Sequence, residues 1–159
     1  MSWAELETAA PEIARLGRER LDETRVALLA TLRKDGSPRI SPIEPFLSDG
    51  HLLLGAMSRS AKTRDLERDP RCVLHTTVTG PDTGDPELKL YGRAIEVDDA
   101  VRDACEGAWW RHHPREAAVV FSLTIERAVF VSWDLHRGEI TMKRWSARGG
   151  LGEMTRGYP

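Results

Sequence analysis

The residue types most able to do chemistry gather in one short stretch, Met57-Ser58-Arg59-Ser60-Ala61-Lys62-Thr63-Arg64. It follows the apolar run Leu52, Leu53, Leu54 and precedes a segment that Pro70 stops. The pattern is that of a strand (residues 51–57) handing over to a short helix (residues 61–68). Free backbone N–H groups and the positive end of the helix dipole meet at such a junction, and both attract an anion. Ser58 or Ser60 would cap the helix, and Arg59 and Lys62 would neutralise a phosphate. Taken alone, the segment is better explained as an ordinary capped helix with solvated cations.

Other reactive residue types form no comparable constellation. The histidines His51, His75, His112, His113 and His136 fall in no His-x-x-x-His or His-Glu-x-x-His spacing, which argues against zinc. His75, mid-strand beside Val73, fits either a structural role or a haem or substrate contact. Cys72 and Cys105 make no Cys-x-x-Cys pair and read as buried small hydrophobes. No Gly-x-Ser-x-Gly elbow is present to suggest a serine hydrolase.

The elements that must position these groups can be read from period and punctuation. Ser2 and Glu5 form a capping-box signature, and Pro11 opens a second helical piece over residues 11–21. Residues 26–33 read as a strand covered on both faces, and Asp35-Gly36 as a hairpin turn. The return strand, residues 37–47, carries Pro38, Pro42 and Pro45 and so must be an edge or bulged. With residues 51–57 it is expected to complete a meander. Strands follow at residues 72–79, 87–97, 118–125, 128–135 and 139–146, with a loop at residues 80–86. A helix is predicted from Asp98 to about His112, which leaves Trp109 and Trp110 as anchors in the core or at a subunit contact. The glycine-rich tail, residues 147–159, is expected to be irregular. About six to eight short strands with two or three peripheral helices predict a mainly β, antiparallel barrel or sandwich.

The 159 residues carry 30% charged side chains yet a formal net charge of −2, without the basic excess of a nucleic-acid binder. No apolar run approaches the ~20 residues of a membrane span. The opening Ser2-Trp3-Ala4-Glu5 lacks a signal-peptide pattern. These features predict a soluble, cytoplasmic, single domain over residues 1–159, with residues 1–22 as an N-terminal helical segment.

The ordered set ALLATLRKDGSPRISPI (residues 27–43) and DGHLLLGAMSRSAKTRDLERDPRCVL (residues 49–74) resembles the FMN-binding split barrel of the pyridoxamine 5'-phosphate oxidase-like superfamily. The superfamily includes reductases that use the deazaflavin coenzyme F-420. The resemblance implies that Arg39, Ile40, Ser41 and Pro42 contact the cofactor ring. It also implies that Met57, Ser58, Arg59, Ser60 and Lys62 hold the phosphate. The family's Ser-Arg-Lys run is Ser60-Ala61-Lys62 here, so Arg59 would substitute from one residue earlier, and Ala56 stands where a Thr is expected. Trp145, beside Arg144, would reach a cofactor between subunits, with core packing as the alternative. The C-terminal Arg-Leu-x-Pro of the vitamin B6 enzyme is absent; the chain ends Arg156-Gly157-Tyr158-Pro159. The implied function is hydride transfer between FMN, or alternatively F-420, and a small organic substrate. The site would lie at a homodimer interface. The alternative is a non-catalytic flavin- or haem-binding protein on the same barrel.

Overall fold

The computed structural model describes residues 1–80 and 82–157. Ser2 Oγ accepts from the Glu5 N–H at 3.3 Å, and Glu5 Oε2 accepts from the Ser2 N–H at 2.6 Å. This reciprocal box starts α1 (Trp3–Ala9). Pro11 opens α2 (Pro11–Thr24), which continues past its expected end until Arg25 turns left-handed at φ 56°. Both helices bury one face: Trp3, Leu6, Ile13 and Ala14 enter the main core with Leu29, Leu54, Leu74 and Phe121.

The strands are β1 (Ala27–Leu32), β2 (Pro38–Ile43), β3 (Pro45–Ser48), β4 (His51–Met57), β5 (Arg71–Thr76) and β6 (Glu87–Glu96). They continue as β7 (Ala118–Asp134), β8 (Glu139–Ser146) and β9 (Gly150–Gly157). Helix α3 (Ala61–Arg68) lies between β4 and β5, and α4 (Asp99–Asp103) follows β6. Every pairing is antiparallel, in the order β2-β1-β5-β6-β7-β4-β3, with β8 on β7 and β9 on β8. This is the mainly β split barrel that the strand pattern and the family resemblance implied.

Five local expectations change. The return strand divides at Glu44: β2 pairs with β1 and β3 with β4, at opposite ends of the strand order, so there is no meander. The two strands expected over residues 118–135 are one 17-residue strand, β7. The helix predicted through His112 stops at Asp103; beyond it Gly107 takes φ +84°, and the chain resumes as a 3-10 turn at Trp109–His112. The tail is not irregular. Gly150 (φ +62°) makes a turn, and β9 then zips onto β8 through Thr141–Thr155 hydroxyls at 2.9 Å and Lys143–Glu153 at 2.8 Å. The predicted strand over residues 72–79 ends at Thr76. Of the expected loop at residues 80–86, Pro81 lies outside the described residues, as do Tyr158 and Pro159 of the tail.

Strand β7 is the spine. One edge pairs with β6 between Phe121 and Val131, while the other passes from β4 (Ala118–Ser122) to β8 (Arg127–Asp134). The register of β6 on β7 shifts between Tyr91 and Gly92. A Cβ at Gly92 would stand 1.9 Å from the backbone oxygen of Thr124, so only glycine permits this approach. Gly92→Ala should therefore destabilise the fold by roughly 3 kcal/mol in urea denaturation. A loss below about 1 kcal/mol would show that the two strands part easily there.

Candidate functional site

Where β4 meets α3, short-range hydrogen bonds fix the backbone. Ser60 caps α3 by accepting from the Thr63 N–H at 3.3 Å, and Thr63 Oγ1 donates to the Met57 carbonyl at 2.8 Å. The junction lines a cavity of about 750 Å³. Pro42 and Met57 form part of an apolar wall, and Arg59 and Lys62 bring positive charge. The Lys62 ammonium donates to the Pro42 carbonyl, tying α3 to β2 across the cavity. Burial pulls its pKa below the ordinary lysine value, and the nearby Glu44 carboxylate only partly offsets this. An ammonium held in that state gains from a bound anion.

Beneath this wall lies Asp65, whose side chain is 5% exposed. It accepts from Arg39 Nε at 2.7 Å, Thr31 Oγ1 at 3.0 Å and Arg68 Nη2 at 3.1 Å. Burial alone would push this carboxyl up, but the bonds from Arg39, Arg68 and Thr31 together hold it below its ordinary value. Arg68 also donates to the Leu32 carbonyl. One carboxylate thus joins β1, β2 and α3.

The opposite wall was hidden by the mispredicted helix. Trp109 and His113 line the cavity, their rings 5.5 Å apart and edge to face, and Trp109 meets Trp110 at 6.0 Å. A Cβ at Gly55 would stand 2.3 Å from the Trp110 ring, so β4 carries glycine where the tryptophans cross it. The signal available in the sequence was Gly107, whose left-handed backbone (φ +84°) precludes a continuous helix through Trp109. Glu44 and Glu116 also line the cavity and were not singled out by spacing.

Of the residues named from the sequence, Pro42, Met57, Ser58, Arg59 and Lys62 converge on this cavity, and Ser60 caps the helix beside it. Arg39 faces a neighbouring groove of about 610 Å³ together with Arg33, Lys34, Arg64 and Arg68. Ile40 points outward, 68% exposed, and Ser41 lies half-buried on β2 opposite Leu29. Trp145 does not line the cavity: it is 6% exposed in the main core, opposite Ala128. Its place within the chain is the core-packing one. Cys72 is buried, which pushes its thiol up to about 12, far from a nucleophile. Among the described residues no three His, Cys, Asp or Glu side chains are grouped to hold a metal ion. Nor is any described helix long and apolar enough to cross a membrane.

The fold is an antiparallel split barrel with an apolar cavity and cations at a strand-to-helix junction. The chain belongs to the pyridoxamine 5'-phosphate oxidase family, whose model matches residues 15–132. Among solved structures it is similar to a heme binding protein from Mycobacterium smegmatis (18% identity, 93% of this chain and 89% of that one, TM-score 0.65). It is also similar to PhzG from Burkholderia lata 383, solved with tetrahydrophenazine-1-carboxylic acid (14% identity, 98% and 93%, TM-score 0.69). A third is a pyridoxamine 5'-phosphate oxidase-related, FMN binding protein from Nostoc punctiforme (16% identity, 98% and 99%, TM-score 0.59). These likenesses establish the fold. No curated protein matches the chain by sequence.

Asp65→Asn should cost about 3 kcal/mol at neutral pH, since it leaves two guanidinium groups without their charge partner. A carboxyl held below its ordinary 3.8 adds stability above that value and loses it as pH falls through the lowered one. The gap between wild type and variant in denaturant midpoint should therefore close in acid. A gap independent of pH would mean that shape alone stabilises this node.

Proposed function

We propose that this chain is a flavin-dependent oxidoreductase that moves a hydride to or from a small organic substrate, with FMN as cofactor. The observation that carries this reading is Lys62: a partly desolvated ammonium beside an apolar cavity of about 750 Å³, in a chain of this family. The cavity suits a planar aromatic ring, and the α3 junction suits a phosphate. Lys62, Arg59, Ser58 and Ser60 would hold the phosphate. Pro42 and Met57 would border the ring, with Arg39, Ile40 and Ser41 set along the same strand. A bound flavin would supply the hydride chemistry; the chain's own groups bind, orient and exclude water.

The finer assignment to F-420 draws support from the groove beside Arg39. Among the described residues, Arg33 and Lys34 side chains make no hydrogen bond or ion pair, so they are free to meet a polyanionic tail. Arg68 is engaged with Asp65 and Leu32, which favours a structural role for it. The non-catalytic alternative, flavin or haem storage, draws support from His113 in the cavity wall. For a homodimer the support is the outer face of β1 and β2. There Leu28 and Ile40 are exposed, with Val26 and Met57 exposed at the cavity itself. A second copy covering that face would close the site.

Titration of the purified protein with FMN and with F-420, followed by absorbance, tests the assignment. Tight FMN binding with turnover of a reduced nicotinamide is the expected result. F-420 binding alone moves the assignment to the deazaflavin, and a Soret band with no flavin affinity overturns the proposal. Lys62→Ala should weaken FMN about 10- to 100-fold, the value of a charge-assisted hydrogen bond, and far more than Arg68→Ala does. Wild-type affinity should also decline with rising pH at a lower pH than an ordinary lysine would impose, and this dependence should vanish in Lys62→Ala. Equal losses in both variants would refute the phosphate assignment.

A further inference from the structure

Among the described residues, buried charge is paired, with one exception. Arg20, 3% exposed, meets Glu23 at 2.7 Å and Asp85 at 3.4 Å. Asp65 meets Arg39 and Arg68. Arg102, on α4, is 7% exposed, and among the described residues no carboxylate lies within 4.0 Å of it. Its Nη2 donates to the Arg115 backbone carbonyl at 3.3 Å, and its buried Nε has no acceptor. A desolvated, uncompensated guanidinium is costly, and proteins retain few of them.

This guanidinium lines a second cavity, of about 380 Å³, with an apolar side formed by Val97, Ala118 and Val120. Ser58 and Glu116 belong to the linings of both this cavity and the larger one, so the two adjoin. Arg115, Glu96 and Glu116 are the other charged groups around it. Arg115 is already paired with Asp99, and Asp103 on α4 is paired with Arg111. The two glutamates disfavour a multiply charged anion. Both glutamates are exposed to solvent, which screens them, so the one buried charge left unmatched is that of Arg102, beside an apolar wall.

We propose that this cavity is a subsite for the carboxylate of a monoanionic organic substrate, with Arg102 supplying the charge. The proposal deepens the oxidoreductase reading and rests on it for the word substrate. Arg102 pins the acid group while the apolar remainder of the molecule extends past Ser58 toward the larger cavity. A planar guanidinium suits a carboxylate better than an ammonium does. The unpaired charge burdens the empty protein and is relieved on binding.

The test uses the full chain and two probes, benzoate and its neutral isostere benzamide, at matched ionic strength. Benzoate should raise the wild-type Tm by a few degrees at saturation, and benzamide should not. Arg102→Met should melt higher than wild type without ligand and lose the benzoate response, while its FMN titration stays unchanged. Arg102→Lys keeps the charge without the planar fork and should retain a weakened response; it serves if Arg102→Met does not fold. No benzoate response in wild type, or one that persists in Arg102→Met, overturns the subsite. So does an Arg102→Met variant that folds but melts lower than wild type, since Arg102 would then be a structural donor to Arg115. A benzoate response that needs Arg102 in a protein with no flavin affinity would leave the subsite standing and remove the oxidoreductase reading alone.

Discussion

The geometry of the site rests on one buried carboxylate. Asp65 cannot be charged and dry without donors, and its donors come from Thr31 on β1, Arg39 on β2 and Arg68 on α3. Satisfying it fixes how far α3 stands from the first hairpin. That spacing sets where Lys62 meets the Pro42 carbonyl, and so the width of the cavity between them. An apolar residue of similar size would fill the same volume. It would not specify which arginine lies where, and the two neighbouring basic features would lose their common anchor.

A second constraint follows from proline. Pro42 and Pro45 flank Glu44 and contribute no backbone donor, so the chain cannot run as one paired strand through this region. It leaves β1 after Ile43 and joins β4 from Pro45 onward, linking the two ends of the strand order. Pro42, Ile43 and Glu44 are therefore wall residues of the cavity. The handover of the β7 edge from β4 to β8 is the matching break on the far side. The barrel is split because two strands change partner, and the larger cavity lies beside the first of these changes.

Features written locally were legible in the sequence. The capping box at Ser2, the helix at residues 61–68 and the cation cluster around Lys62 depend on neighbours a few residues away, and each is present. Features decided by distant partners were not. The tail has four glycines, which argue against regular structure by propensity, yet Lys143 and the Thr141 hydroxyl give β9 a template. Apolar spacing through Trp109 looked helical, but a left-handed Gly107 precludes a continuous helix there, and that indole lines the cavity. Trp145 alternates onto the buried face of β8, a matter of register that composition cannot give.

The net charge of −2 conceals two unlike positive features. Arg33, Lys34 and Arg64 face a groove open to solvent, where water and salt weaken each charge and let them act mainly as a collective field. Arg102 is nearly dry, so water and salt screen it little, and it acts most strongly on a group that enters the cavity beside it. The groove borders α3 and the buried guanidinium borders Ser58, on two flanks of one cavity. An arrangement of this kind divides labour by dielectric. Under the proposed reading, the wet cations would draw a charged ligand in at range, and the dry one would discriminate by whether an acid group arrives within hydrogen-bond distance.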